Sequence, residues 1–575
     1  MSIGFTNAQQ AEIEKNSENQ NNIDIHIGVF FDGTGNNMVR EVYDKYKIKQ
    51  EKENKSRTPY SDSNEDEWLR EINLHPNVSD EELSRHEGNE EAEHAFSNVA
   101  VLYSLFNPDI IKQQNQSSNS IINSFYIEGA GTSDMSKYFK TNAIGAGFGT
   151  GDTGVVALVS KAVRSVSDFL LSLQNQISSD TKVHFYIFGF SRGATCARLF
   201  SHLITRSPNG ERLPREKDFS NFLSKKYFEE GLCSIPWKRM KTLLLKNVTV
   251  DFLGIYDTVS SIGILQRPDG SYALAHTSDT PVHFKNCSEY GLYVCPNKEK
   301  LKHVCHLCAL DEFRENFALT SVGGQSVPSN CVELLIPGCH SDVGGGYITG
   351  EEQEIILRKQ TGNYNIVEQC KRIAIGEQCK SFVKSTEILV SPEKRSRSKL
   401  TLTSMKMIGW LQDNFENLQF DENEENSART IAAIETEHDI KFKRYVFRGY
   451  SDISLAMMKE QCTRMNCSLF DEPPIAFNYR MRQPDLVAIG DKLLSKLKNT
   501  SEGKRTYYYP GNAYDSQSYR LLRQKYLHFS CTDNIVHKPY MEGGTIINRL
   551  IYWGEKKDVA SMSCESDIHY LPDLY

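Results

Sequence analysis

Residues 183–200 read VHFYIFGFSRGATCARLF. Apart from His184, positions Val183 to Phe188 are β-branched or aromatic, the composition of a buried parallel strand, and Ala194 to Phe200 open a helix with small residues. Between them Gly189-Phe190-Ser191-Arg192-Gly193 fits G-x-S-x-G, the sharp strand-to-helix turn that exposes a serine hydroxyl above a sheet. A plain turn is the alternative. The flanking strand and helix favour the nucleophile, because side chains at 189 and 193 would collide with the neighbouring elements while Ser191 is held in a strained backbone conformation.

The chain has 575 residues, 39% of them hydrophobic and 24% charged, enough for one large α/β core plus a substantial further region. A net charge of −8 leaves no basic footprint, so a nucleic-acid partner is excluded. The N-terminal MSIGFTNAQQAEIEKNSENQ lacks the basic and apolar blocks of a signal peptide, which predicts synthesis in a cytoplasm. The 14 cysteines follow no regular framework and read as reduced thiols. Cys305-His306-Leu307-Cys308 with His303 resembles a metal-ligand set, but no second Cys/His pair stands at finger spacing; no metal or cofactor is expected.

Strand-like runs at 24–31 (DIHIGVFF), 120–131, 247–257 and 330–339 alternate with helical patterns at 97–106 and 154–177. Apolar strands alternating with helices predict an α/β fold, a mostly parallel sheet flanked by helices. Residues 1–23 read as a tail and 24–350 as the catalytic core, interrupted by a charged surface insertion at 40–92. A second, mainly helical region is expected at 351–515, lid-like or membrane-facing. Within it Met405, Met407, Ile408, Trp410 and Leu411 recur at helical spacing, as core packing or as an apolar surface for lipid. Residues 516–575 are expected to return to the core through strands near 525–530 and 545–554. The run GAGFGTGDTG (145–154) lacks the Gly-Lys-Ser/Thr of a phosphate loop and reads as a flexible segment near the site.

A serine hydroxyl needs a histidine to take its proton and a carboxylate to orient that histidine. After Ser191, Asp257 in GIYDTVSSIG and His340 in PGCHSDVGGGY each follow an apolar strand, in the order Ser, Asp, His. His306, read as opening a helix at 306–317, and His528, inside a strand-like run, are rival bases. Oxyanion donors are expected from the backbone of Arg192 and, across the site, from Gly33 or Thr34 in FDGTGNN.

FFDGTGNN (30–37), GFSRGA (189–194), GIYDTVSSIG (254–263), HLCALDEFRENF (306–317) and PGCHSDVGGGY (337–347) occur in that order. Together they resemble the α/β-hydrolase domain of the type VI secretion lipase effectors, family one. The resemblance implies a Ser-Asp-His phospholipase A that acts on membrane phospholipids of a rival bacterium, in its periplasm or at its membrane. It also implies delivery by a secretion spike protein and a cognate immunity protein in the producer. Carried over by position, the nucleophile falls on Ser191, the acid on Asp257 and the base on His340. A soluble esterase or thioesterase of metabolism, or a non-catalytic binding module on the same fold, are the competing functions.

Overall fold

The strand-like runs at 24–31, 120–131, 183–188, 247–257 and 330–339 all enter one sheet. The computed structural model describes residues 23–38, 96–115, 120–132, 154–205, 247–266, 272–276, 299–322, 327–347, 351–358, 430–435, 439–508 and scattered positions over 518–552, with short gaps at 179, 448 and 474–476. Strands β1 (Asp24–Phe31), β2 (Ser120–Ile127), β3 (Lys182–Phe190), β4 (Val248–Tyr256), β5 (Leu301–Ala309), β6 (Cys331–Ile336) and β7 (Lys504–Tyr507) form a 7-stranded sheet. Its order is β7-β6-β5-β4-β3-β1-β2, and every neighbouring pair is parallel.

Both faces of the central strands are covered, which is why β1, β3, β4 and β6 are largely apolar rather than alternating with polar residues. Ile25, Ile27, Val29, Phe185, Ile187 and Val250 face helices α2 (Val155–Ser172) and α3 (Arg192–Thr205). On the other face Phe30, Phe188, Phe252 and Tyr256 pack with α1 (Asn98–Leu105) and α5 (Tyr450–Arg464). Each such side chain contributes roughly 1.5–3 kcal/mol on burial.

Helix α5 packs within these layers. Tyr450, Ile453, Leu455, Met457, Met458 and Cys462 are all buried, because the sheet lies on one side and α6 (Val487–Asn499) on another. With β7 paired to the edge of the sheet, α5, α6 and β7 add to the layers around it. Within 351–515 the described residues also include a 3-stranded antiparallel sheet, formed by 351–358, 430–435 and 439–446, beside the helices α5 and α6.

Two local expectations change. HLCALDEFRENF does not open a helix; residues 306–309 end β5, and only Glu315–Phe317 makes a short 3-10 turn. The β-branched and aromatic neighbours on β4 and β6 override the helix-forming residues that follow. Residues Tyr526, Leu527 and His528 follow a helical turn and are not a strand, whereas Ile551–Tyr552 pairs with Leu319–Thr320, outside the main sheet. The insertion at 40–92, the apolar stripe at 404–418 and positions 145–153 of the glycine run lie outside the described residues.

Ser191 takes φ 59°, the left-handed conformation, at the junction of β3 and α3. A Cβ on Gly189 would stand 2.5 Å from the Gly193 carbonyl oxygen, and one on Gly193 would stand 2.2 Å from that of Asp32. Gly193→Ala therefore forces backbone to move, and we expect it to lower unfolding stability by about 2 kcal/mol or more in urea titration. A stability within error of wild type would show that the turn relaxes freely.

Candidate active site

The carboxyl ends of β1, β3, β4 and β5 and the turn after β6 meet around Phe190. Its ring lies 4.6 Å, centroid to centroid, from the His340 ring. The Phe190 ring also lies against Gly33 and Gly344, where an added Cβ would come within 2.3 and 2.0 Å of it. Because Phe190 precedes Ser191, this contact brings the FDGTGNN loop, the elbow and the HSDVGGGY segment to one place. The elbow is tied to the end of β4: the Ser191 N–H donates to the Tyr256 carbonyl at 3.1 Å, and the Val259 N–H donates to the Ser191 carbonyl at 3.3 Å.

Asp257 leaves β4 with φ 41° and is fully buried. Its Oδ1 accepts the Ala309 N–H at 2.8 Å, and its Oδ2 lies 2.5 Å from His340 Nδ1. The carboxylate thus directs the imidazole to carry its proton on Nδ1. His340 opens the short helix α4 (His340–Gly344), and its backbone N–H donates to Glu312 Oε2 at 3.1 Å. Its Nε2 is buried and makes no hydrogen bond among the described residues, so the expected contact with the Ser191 hydroxyl is not closed. Burial pushes the His340 pKa down, and the neighbouring Asp257 carboxylate opposes that shift.

The two rival histidines are placed differently. His306 has both nitrogens engaged: Nε2 takes the Thr258 N–H at 3.2 Å and Nδ1 meets Glu333 Oε2 at 2.9 Å. His528 pairs through Nδ1 with Asp342 Oδ1 at 2.6 Å and stacks on Tyr347 at 3.6 Å. Its Nε2 is also buried without a partner among the described residues, but its carboxylate belongs to α4 and not to a strand end.

Among the expected oxyanion donors, Gly33 is already occupied, since its N–H donates to Asp32 Oδ1 at 2.7 Å. Thr34 is half-buried, and its hydroxyl accepts from the Arg192 guanidinium at 3.3 Å, so the loop and the elbow touch. Asp32 is fully buried, and burial raises its pKa to about 6 against the opposing donors Ser97, Tyr126 and the Gly33 amide. The metal-like cysteines are separated by the sheet: Cys305 belongs to one core face and Cys308 packs with Leu310 and Leu335 on the other.

Glu312 is a site residue that the sequence reading does not single out. It holds the His340 amide and receives Arg314 Nε and Nη2 at 2.9 and 2.8 Å, while the Arg314 guanidinium lies 3.3 Å above the Phe317 ring. Phe317 in turn flanks His340 at 5.0 Å. The adjacent acids Asp311 and Glu312, directly after an apolar strand, are the signal that points to it.

Residues 79–365 match the family described as type VI secretion system phospholipase effector Tle1-like, catalytic domain. Among solved structures, the Tle1 effector bound to the VgrG spike of a type VI secretion system is similar, with 18% identity over 92% of this chain and 94% of that one and a TM-score of 0.44. An uncharacterized protein from Pseudomonas aeruginosa is 18% identical over 59% of this chain and 44% of its own, with a TM-score of 0.27. No curated protein matches the chain. The family match spans the serine elbow, Asp257 and His340, and by it this chain belongs to the Tle1-like phospholipase effectors of the type VI secretion system.

Proposed function

We propose that this phospholipase effector is a serine hydrolase of the phospholipase A type, with Ser191 as nucleophile, His340 as general base and Asp257 as its orienting acid. The observation that carries the reading is the 2.5 Å pair between Asp257 and His340 Nδ1, standing beside a serine held at positive φ. With Nδ1 protonated toward Asp257, Nε2 offers a lone pair to the Ser191 hydroxyl when an acyl ester closes the site. Ser191 Oγ attacks the ester carbonyl as Nε2 takes its proton; the imidazolium returns that proton to the departing lysophospholipid oxygen, and water then hydrolyses the acyl-enzyme. The Arg192 and Thr34 amides are the proposed oxyanion donors.

Membership of the type VI effector family supports carriage of this chain by a secretion spike protein. A cognate immunity protein would protect the producer, and membrane phospholipids of a rival bacterium would be the substrate. Among the described residues no helix is long and apolar enough to cross a membrane.

Ser191→Ala is expected to fold and to lose ester hydrolysis by about four orders of magnitude, and Asp257→Asn by about a thousandfold. His340→Ala should abolish fluorophosphonate labelling of Ser191, whereas folded His528→Ala keeps it. Labelling that survives in His340→Ala and vanishes in His528→Ala would transfer the base to His528.

Because the His340 pKa is depressed, its neutral form persists as pH falls below the ordinary imidazole value of about 6.5. The ratio kcat/KM should therefore stay flat through that value and drop only at lower pH; a midpoint above it would contradict the burial argument. With vesicles of phosphatidylethanolamine and phosphatidylglycerol, mass analysis should find one fatty acid and one lysophospholipid per turnover. Hydrolysis confined to soluble monomeric esters would instead identify a metabolic esterase.

A further inference from the structure

His306 is fully buried, lies one strand away from the acid and has no part in the proton transfer just described. Its hydrogen bonds fix its state. A backbone N–H can only donate, so the 3.2 Å contact from Thr258 N makes Nε2 an acceptor, and the Thr258 hydroxyl lies 3.1 Å from the same nitrogen. The ring proton then sits on Nδ1 and is donated to Glu333 Oε2 at 2.9 Å. Glu333 in turn accepts from Ser321 Oγ at 2.9 Å, Val322 N at 2.9 Å and Arg505 Nε at 2.5 Å. Every one of these partners is a donor. Burial works against the charge on Glu333, but the Arg505 guanidinium and the His306 and Val322 donors outweigh it and hold the carboxyl well below the usual range.

We propose that Glu333 and His306 form a positioning device for the catalytic acid, fixing the strained turn at Asp257-Thr258 so that the carboxylate meets His340. The proposal rests on the triad reading above and deepens it. Strand β5 grips the turn at three points within four residues: His306 takes the Thr258 N–H, the Leu307 carbonyl takes the Asp257 N–H at 2.8 Å, and the Ala309 N–H holds Asp257 Oδ1. A non-glycine residue at φ 41° persists only where its surroundings over-determine it. The same turn reaches the nucleophile, since Val259 donates to the Ser191 carbonyl.

A metal centre and a purely structural brace both fit the geometry less well. His306, Cys308 and Glu333 have donor atoms within 4.8 Å of one another, as a metal site would need. However, both imidazole nitrogens are hydrogen-bonded and a guanidinium already neutralises the carboxylate. A brace for stability alone has little to recommend it, because buried charge pairs are often replaced by apolar residues of like volume with no loss of stability.

The test uses the full chain with a fluorophosphonate label and a phospholipid substrate. His306→Gln keeps one acceptor and one donor without titrating, and should label and turn over within about threefold of wild type. His306→Leu removes the acceptor and should slow labelling and kcat by about a hundredfold, with KM changed less than about threefold, as expected when alignment and not substrate binding is lost. Wild-type labelling in folded His306→Leu overturns the proposal, and so does a His306→Gln variant as slow as His306→Leu, which would make packing the cause. Where His306→Leu does not fold, Glu333→Gln decides: a tenfold or greater loss, on the order expected for a displaced carboxylate, supports the device and an unchanged rate overturns it. Ser191→Ala separates the two readings. Hydrolysis surviving in that variant sinks the serine mechanism itself, whereas its loss alongside normal labelling in the His306 and Glu333 variants sinks only the positioning role.

Discussion

The left-handed conformation of Ser191 is the constraint around which the rest is arranged. A serine at φ 59° is costly on its own, and it is held by glycines on both sides that let helix and strand approach within a distance no side chain would fit. That cost is offset by the end of β4, which accepts the Ser191 N–H, and by the following turn, which donates to its carbonyl. Once that turn is fixed, Phe190 has one place to go, and its ring becomes the floor on which the FDGTGNN loop and His340 are laid.

Around this floor the interior holds more charge than a hydrophobic core normally tolerates, and the charges are organised by histidines. Asp257, Glu333 and Asp342 each meet a different imidazole through Nδ1. What differs is the other nitrogen. In His306 it is closed by the chain itself, which makes the residue an acceptor of fixed orientation; in His340, among the described residues, it is left open beside the elbow. His528 shares the open nitrogen but stacks on Tyr347. On the proposed mechanism, a histidine's role in this molecule is set by whether a backbone amide occupies Nε2 and by which ring it lies against.

Much of this is legible in the residues. The parallel strands announce themselves as uninterrupted apolar runs, and Ser191, Asp257 and His340 can be singled out because each follows such a run. The strand β7 cannot be read this way: Lys504-Arg505-Thr506-Tyr507 is polar, because it lies at the sheet edge and one of its charges, Arg505, turns inward to Glu333. Helix α5 carries buried residues around much of its surface, so no amphipathic stripe ties it to the sheet and its sequence reads as part of a separate region. His306 reads as helical from its local neighbours because the strand at 301–309 depends on partners about 50 residues before it and about 30 after it, a separation at which pairing overrides local preference.

The edge strand β7 has a bearing on when the molecule becomes an enzyme at all. Its partner β6 lies at Cys331–Ile336, so the last pairing of the main sheet joins segments far apart in the chain, and contacts of that separation form late because the intervening chain must first be brought together. Arg505 arrives with that strand and completes the ionic surroundings of Glu333, two steps removed from the acid turn. Synthesis runs from the N-terminus, so the serine elbow is made hundreds of residues before the guanidinium that braces Glu333. On the proposed mechanism, a partly made chain thus holds its nucleophile without the bracing that aligns the acid, and maturation of the site is coupled to completion of the fold.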